Sequence, residues 1–393
     1  MKSVIVIGSG FAGLSSATFL AKAGYDVTVL EKNDSLGGRA RVWETEGFKF
    51  DMGPSWYWMP DVFERYFQCF GYSVSDLYEL VRLDPSYRVV FGPEEFEDQS
   101  ANMAELEAMF DRLDPGSSKR LRKFLTEAAY KYEVGIKDLV HKPSRSLLEF
   151  ADLRILKGLF QLDLLKDMRK HVAEVSTHPK LKAIMEFPVL FLGALPQNTP
   201  ALYSLMNYAD MSMGTWYPQG GMHKIIEAMV KVAKEQGVKF RTKAEVKGFK
   251  YSGNKIVGVL TKTGGFSADI VVAGADYHHI DQEVSDEGRR EYSEKYWDKR
   301  KMAPSSLLFY LGIEGEVPNV QHHNLFFDHE LDQHAAELYT QPQWPTKPLF
   351  YASAPSKTDK SIAPEGCENM FLLMPTAPGL AGDTEEVREK YYN

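Results

Sequence analysis

The chain has 393 residues, a net charge of −8 and only two cysteines, Cys69 and Cys367. The negative balance argues against nonspecific nucleic-acid binding. Two cysteines exclude a disulfide framework and point to a reducing compartment. With 44% apolar and 25% charged residues, the composition is that of a globular protein, and the length predicts two intertwined domains rather than one small core. The N-terminus already reads as a core strand, which leaves no room for a signal peptide. The longest uncharged run is the 23-residue stretch 187–209. It contains Pro188, Pro196, Pro200, Gln197 and Asn198, which predicts a buried or interfacial segment rather than a membrane span.

Residues 3–7, Ser-Val-Ile-Val-Ile, read as a strand that runs into Gly8-Ser9-Gly10-Phe11-Ala12-Gly13. A helical stretch follows, then a second strand, residues 26–30, ending on Glu31. Each part has a physical role. Gly8 permits the tight turn, Gly10 a close backbone approach to a pyrophosphate, and Gly13 close packing of helix on sheet. The helix N-terminus offers free N–H groups to phosphates. Glu31 stands where an acid hydrogen-bonds an adenosine ribose, and its charge would repel a 2′-phosphate, so FAD or NAD is favoured over NADP. Glycine turns also occur in α/β folds that bind nothing, but here strand, turn, helix, strand and acid all occur in order.

Just beyond lies Ser35-Leu36-Gly37-Gly38-Arg39-Ala40-Arg41. The glycines allow a second loop to approach the same ligand, and Arg39 is a fixed cation for phosphate oxygens; a surface turn with a solvated arginine reads equally well. Residues 47–55, Gly-Phe-Lys-Phe-Asp-Met-Gly-Pro-Ser, give a short strand and turn. GSGFAGLSSA, EKNDSLGGRA and GFKFDMGPS, in this order and spacing, resemble the FAD-containing amine oxidase and carotenoid desaturase superfamily. The resemblance implies FAD on this turn. It implies FAD contacts at Gly8, Ser9, Gly10, Phe11, Ala12, Gly13, Glu31, Lys32, Gly38, Arg39, Gly53 and Pro54, and further along at Val246 and Asp276.

Residues 87–91 read as one strand. The pattern turns helical from Asn102 to about Thr177, with a helix start at Asp114-Pro115-Gly116-Ser117 and Pro115 near its first turn. In the helix-rich stretch 147–175, Leu153, Ile155, Leu156, Leu159, Phe160, Leu162, Leu164, Leu165 and Met168 form no clean stripe. Arg154, Lys157, Lys166, Arg169 and Lys170 are interleaved among them. This is either a cap with a solvated face or a membrane-contacting lid. Residues 222–236 read as an amphipathic helix ended by Gly237. Short strands follow at 238–242, 245–250 and 256–261, with a hairpin turn at Ser252-Gly253-Asn254-Lys255, and a buried strand at 268–273.

The block Gly214-Thr215-Trp216-Tyr217-Pro218-Gln219-Gly220-Gly221-Met222 looks like the phytoene/carotenoid desaturase group, where it precedes a glycine turn under the flavin. Gly220 and Gly221 can take positive φ, and Trp216 and Tyr217 can wall an apolar tunnel. A helix-capping turn with core aromatics is the plainer alternative. The resemblance is good to about residue 285 and diffuse beyond, where the strand 306–312 fits. One departure stands out. Relatives of this type finish with a glycine- and proline-rich segment at the flavin, and this chain instead closes on a charged helical pattern at 385–393. Either the chain is a fragment or its cofactor site is built differently; a fragment that holds FAD loosely is the expectation.

The fold expected is α/β: a Rossmann-like FAD-binding domain (1–80 and 216–285), a mixed-sheet substrate domain (81–101 and 286–375), a helical cap (102–215) and the start of a C-terminal helix (376–393). The resemblance implies desaturation of an apolar carotenoid by hydride transfer to FAD, with quinone or dioxygen as electron acceptor. It also implies a cytoplasmic enzyme lying peripherally on a membrane surface. A carotenoid isomerase or saturase, and a nonenzymatic prenyl- or lipid-binding escort of the same fold, are the alternatives; an amine oxidase is a further branch. His278, His279, His322, His323, His329 and His334 with Asp328 and Asp332 match no metal-binding spacing, so no metal is expected. No residue is singled out as the catalytic acid or base.

Overall fold

The computed structural model describes residues 1–142, 146, 166–190 and 193–393. The predicted helical residues from Leu147 to Leu165, with Arg154 and Lys157, lie outside the described residues. Two compact units are present. The first comprises Met1–Ser55, Val62–Leu80 and Pro218–Lys301; the second comprises Trp56–Asp61, Val81–Tyr217 and Met302–Asn393.

In the first unit, β1 (Ser3–Ile7), α1 (Phe11–Lys22) and β2 (Asp26–Leu30) follow one another as predicted. The sheet has four parallel strands in the order Ile270–Ala273, β1, β2, Lys239–Arg241. Parallel strands covered on both faces need apolar residues on both sides, which is why β1 does not alternate. Val4, Val6, Val27 and Val29 pack with Ala17 and Ala233 of the helices on one face. Ile5, Ile7 and Leu30 pack on the other with Val246, Phe249 and Val259 of an antiparallel meander, Val246–Ser252, Lys255–Thr261 and Gly264–Ser267. The helix His223–Glu235 forms where its periodicity predicts.

The second unit is built on a six-stranded mixed sheet. Its order is Ser305–Glu314, Cys367–Thr376, Phe350–Ser353, His323–Phe326, Tyr87–Gly92, Glu95–Gln99. Only His323–Phe326 and Tyr87–Gly92 pair in parallel. The helices Met103–Leu113, Ser117–Tyr132 and Pro179–Leu190 bury Leu106, Phe110, Leu121, Phe124, Ile184 and Phe187 in the same core as Tyr87, Val89, Leu325 and Tyr351.

Two local expectations change. The second of these helices begins at Ser117 with Gly116 as its cap in the left-handed region, so Pro115 lies outside it. The reason is Asp111, whose carboxylate accepts from the backbone N–H groups of Gly116 and Ser118 and from the Ser118 hydroxyl. A carboxylate from the preceding helix thus caps this one. Pro188 does not break its segment; it sits in the last turn of Pro179–Leu190, where its ring removes one i→i−4 hydrogen bond, and the helix ends two residues later. No helix among the described residues is long and apolar enough to cross a membrane.

Candidate functional site

In the first unit the glycine turn is held by backbone contacts that leave no space for side chains. Gly8 has φ +89°, and its N–H donates to Leu30 O at 2.8 Å. A Cβ built on Gly13 would stand 2.0 Å from Gly8 O, inside the carbonyl oxygen's contact distance. Gly274 closes against the same spot, its own Cβ position lying 2.8 Å from Gly13 Cα. Gly10 is the reverse case: a Cβ there meets nothing within 4 Å. It is the N-cap of α1, extended at φ −70° and ψ 178°, and caps with no side chain. The first N–H groups of α1 therefore keep their capacity for an anionic ligand.

Glu31 is buried at the end of β2. Its Oε2 accepts from Ser9 N and Ser9 Oγ, and its Oε1 from Asn33 N and Asn33 Nδ2. Ser9 Oγ in turn accepts from Gly37 N at 3.1 Å, and Gly38, with φ +60°, stands over Gly10 with its Cβ position 3.1 Å from Gly10 Cα. The structure thus brings Gly8, Ser9, Gly10, Gly13, Glu31 and Gly38 together. Phe11 and Ala12 open α1 beside them. Gly53 joins through Arg39, whose carbonyl oxygen would lie 2.0 Å from a Gly53 Cβ, while the Arg39 side chain is exposed. The 273–276 turn returns to Gly8, where Gly274 O lies 3.4 Å from a Gly8 Cβ, and Asp276 itself is exposed and caps His279 N. Val246 is buried beneath with Ile5, Ile7 and Leu30. Lys32 is exposed and Pro54 half-buried.

Sequence reasoning missed Asp51. Its carboxylate accepts from Met222 N at 2.7 Å and His223 N at 3.1 Å, capping the helix His223–Glu235. His223 Nδ1 lies 2.9 Å from Ala40 O, tying that helix to the Gly37–Ala40 loop. Withdrawal from water pushes the Asp51 carboxyl up to about 6, against the two backbone donors that pull it down. Gly220-Gly221 marks the start of the helix in the sequence but not the residue that caps it; in the structure Gly221 has φ +102°, with Asp51 Oδ2 3.1 Å from its Cβ position.

In the second unit, aromatic side chains form a continuous interior. Trp56 packs on Tyr87 at 5.5 Å, on Phe187 at 6.0 Å and on Tyr351 at 5.5 Å, and stacks on His323 at 4.2 Å. Several polar groups inside it are hydrogen-bonded, and burial keeps its two histidines neutral. His323 Nδ1 is 2.6 Å from the Tyr351 hydroxyl, and burial holds its imidazole well below the usual range. His322 Nδ1 is 2.8 Å from Thr358 Oγ1, and burial lowers that imidazole to about 3. Tyr87 donates its hydroxyl to Asp210 at 2.8 Å; burial pushes Asp210 up to about 7, with the Tyr87 and Thr215 hydrogen bonds opposing. Trp58 Nε1 donates to Thr215 Oγ1 at 2.8 Å. Tyr217, expected as an apolar wall, is buried with its hydroxyl 3.3 Å from Asp359 Oδ2, and Trp216 is half-buried with Nε1 on Met213 O. Among the described residues no three His, Cys, Asp or Glu side chains converge as a metal site would require.

The chain is similar to known proteins along its length. Residues 11–356 match the family model of flavin containing amine oxidoreductases. The chain is 40% identical over 394 aligned residues to a carotenoid 3,4-desaturase of Haloarcula japonica, covering 99% of this chain and 79% of that protein. It is 31% identical to a zeta-carotene-forming phytoene desaturase of Myxococcus xanthus, covering 100% and 76%. Among solved structures it is similar in fold to an oxidoreductase from Methanosarcina mazei, with a TM-score of 0.61 at 17% identity over 99% of this chain and 81% of that one. A putrescine oxidase variant shows the same fold with a TM-score of 0.59 at 12% identity, covering 100% and 77%. Strand, glycine turn, buried acid and this similarity along the chain agree: the protein belongs to the flavin containing amine oxidoreductase family.

Proposed function

We propose that the protein is an FAD-dependent carotenoid desaturase that introduces C=C bonds into a long apolar polyene. The observation that carries the reading is the 40% identity to a carotenoid 3,4-desaturase across 99% of the chain. The geometry supports it. A cradle for a dinucleotide stands in one unit, and the other holds an aromatic interior whose His322 and His323 are kept neutral by burial. A substrate without polar handles calls for such a lining rather than for a charged cleft.

The first unit fits FAD. The Gly8–Gly13 approach and the uncapped α1 N-terminus suit the pyrophosphate, and Glu31 stands where the adenosine ribose is expected. When bound, the flavin supplies the hydride-accepting chemistry that forming a C=C bond requires. The chain's own contribution is to hold, orient and exclude water. Gly8, Ser9, Gly10, Phe11, Ala12 and Gly13 would hold the phosphates, Gly38 and Arg39 would cover them, Val246 would meet the adenine, and Asp276 would sit on the turn that returns toward the cofactor. Trp56, Tyr87 and Phe187 exclude water from the polyene. Asp210, with its pKa near neutrality, is the group of that interior able to hold a proton at its Oδ2, beside the Tyr87 hydroxyl.

The substrate dissolves in bilayers, so a cytoplasmic protein resting peripherally on the membrane surface is part of the proposal, with the 102–213 region as its contact and quinone or dioxygen as its acceptor. Both cysteines are free thiols, in keeping with a reducing compartment. Expression in cells that accumulate phytoene or a later carotene tests the reading. A product two hydrogens lighter is expected. A product of unchanged mass would assign an isomerase, and retention of unaltered carotene on the purified protein would assign an escort.

A further inference from the structure

In the first unit the loop Gly37–Arg41 is held from two sides. One side is the end of the hairpin formed by Val42–Thr45 and Phe48–Asp51. Met52 N donates to Arg41 O at 2.8 Å, and a Cβ on Gly53 would lie 2.0 Å from Arg39 O. The other side is the start of the helix His223–Glu235. His223 Nδ1 lies 2.9 Å from Ala40 O and, since a carbonyl oxygen only accepts, carries the proton. Ile226 meets the loop at Gly37, whose Cβ position is 3.1 Å from Ile226 Cγ2.

One side chain joins the two sides. The Asp51 carboxylate leaves the hairpin and accepts from Met222 N and His223 N at the helix start. Hairpin, loop and helix thus close a ring of contacts. The ring reaches the glycine turn, because Gly37 N donates to Ser9 Oγ and Gly38 stands over Gly10. A charged carboxylate suits the joint: it accepts with both oxygens and meets the positive end of the helix dipole. Protonation takes one oxygen out as an acceptor and removes the charge, which loosens the ring at that joint.

We propose that Asp51 is a positioning residue for FAD: its carboxylate locks the Gly37–Arg41 loop against the glycine turn, and opening this lock lowers FAD retention. The role rests on the reading that FAD lies on the Gly8–Gly13 turn. Burial raises the Asp51 carboxyl to about 6, so the lock is closed above that pH and opens as the pH falls through it. Of the groups around Asp51, His223 is the titratable one on the helix, and its imidazolium favours the charged carboxylate. Glu44 and Lys49 share the hairpin face with Asp51 and pair with each other at 3.9 Å. Arg39 and Arg41 meet the hairpin end through their carbonyl groups.

The test is fluorescence titration of FAD on the flavin-free full chain at pH 7 and pH 5, for the parent and Asp51→Asn, with hydrogen exchange of both flavin-free proteins. Asn keeps one acceptor oxygen and cannot titrate, so it imitates the protonated carboxyl. The parent should bind FAD about tenfold more weakly at pH 5 than at pH 7, the most that one proton with a midpoint of about 6 supplies over this range. Asp51→Asn should bind at pH 7 as weakly as the parent does at pH 5, with no further fall. Exchange protection of residues 37–41 should drop in Asp51→Asn while β1 keeps its own. If Asp51→Asn folds poorly, the same protection compared in the parent at the two pH values decides the matter. A parent affinity that is flat across the range, or an Asp51→Asn protein with the parent's slope, would overturn the role. So would a loss of protection confined to the start of the helix His223–Glu235, which marks Asp51 as a helix cap alone. A parent chain that takes up no FAD at either pH would overturn the cofactor reading and the Asp51 role with it, whereas the other adverse outcomes overturn the Asp51 role only.

Discussion

Glu31 Oε2 accepts hydrogen bonds from both the backbone N–H of Ser9, at 3.0 Å, and the Ser9 hydroxyl, at 2.6 Å. With Asn33 on the other oxygen, the acid's four lone-pair positions are filled by the protein itself. A ribose hydroxyl that bonds Glu31 therefore exchanges with a side-chain donor, Ser9 Oγ or Asn33 Nδ2, while the two backbone donors stay. Glu31 braces the glycine turn, a role separate from the ribose contact proposed for it.

Glu31→Ala should for that reason damage both binding and fold. It leaves buried Ser9 N and the Asn33 amide donors without acceptors, a cost of about 2–4 kcal/mol in total. Glu31→Gln keeps one acceptor oxygen and should lose less stability while still weakening FAD. Urea melts of the flavin-free protein and flavin titrations check this. A Glu31→Ala protein as stable as the parent chain would refute the bracing role.

Gly10 and Gly13 should separate binding from folding. A Cβ at Gly13 lies 2.0 Å from a backbone oxygen, so Gly13→Ala must displace β1 or α1 and should lower stability severely. A Cβ at Gly10 has open space, so Gly10→Ala should melt like the parent chain and lose FAD if, as proposed, the pyrophosphate approaches there. If Gly10→Ala retains full flavin affinity, the phosphate position is misassigned.

These residues were legible because their signal is local. Strand, turn and helix follow one another within 31 positions, and apolar β1, φ-positive glycines and the helix N-terminus are properties of short segments. The same holds for the meander around Ser252-Gly253-Asn254-Lys255. Asp51 was not legible as a helix cap, because its partner Met222 N is 171 residues away and nothing near Asp51 marks it. The parallel pairing of Asn324 with Arg88 was hidden for the same reason, since register between distant segments is set by packing in the assembled core. The start of the helix at Ser117 was misplaced because Asp111, inside the preceding helix, does the capping.

Trp56 and His323 stack at 4.2 Å inside the aromatic interior, and their contact should govern the carotene rather than the flavin. Trp56→Ala opens a large hole, costs about 3–5 kcal/mol and should cut desaturation. Trp56→Phe should restore most of the stability, and flavin content should stay at the parent level in both. Carotene analysis beside flavin absorbance separates the effects. Loss of flavin from Trp56→Phe would disprove the assignment.

Asp210 and His322 give the protein an unusual pH dependence with opposed signs. Asp210 moves from 3.8 up to about 7, so the folded state binds more protons than the unfolded chain in that window, and this contribution to stability falls as pH rises through it. His322 moves from 6.5 down to about 3, so the unfolded chain binds more protons, and its contribution falls as pH drops. His323 is shifted in the same direction as His322. Between pH 7 and pH 5 the carboxyl therefore offsets part of the loss due to the imidazoles. Asp210→Asn keeps a partner for the Tyr87 hydroxyl but removes the titration. On going from pH 7 to pH 5 it should lose about 2 kcal/mol more stability than the parent chain, from roughly 1.4 kcal/mol per pH unit over the part of the window where Asp210 is protonated only in the folded state. Urea unfolding at the two pH values measures this directly. Parallel pH profiles for parent and variant would mean that Asp210 titrates as it does in the unfolded chain, and would remove it as the proton-holding group of the aromatic interior.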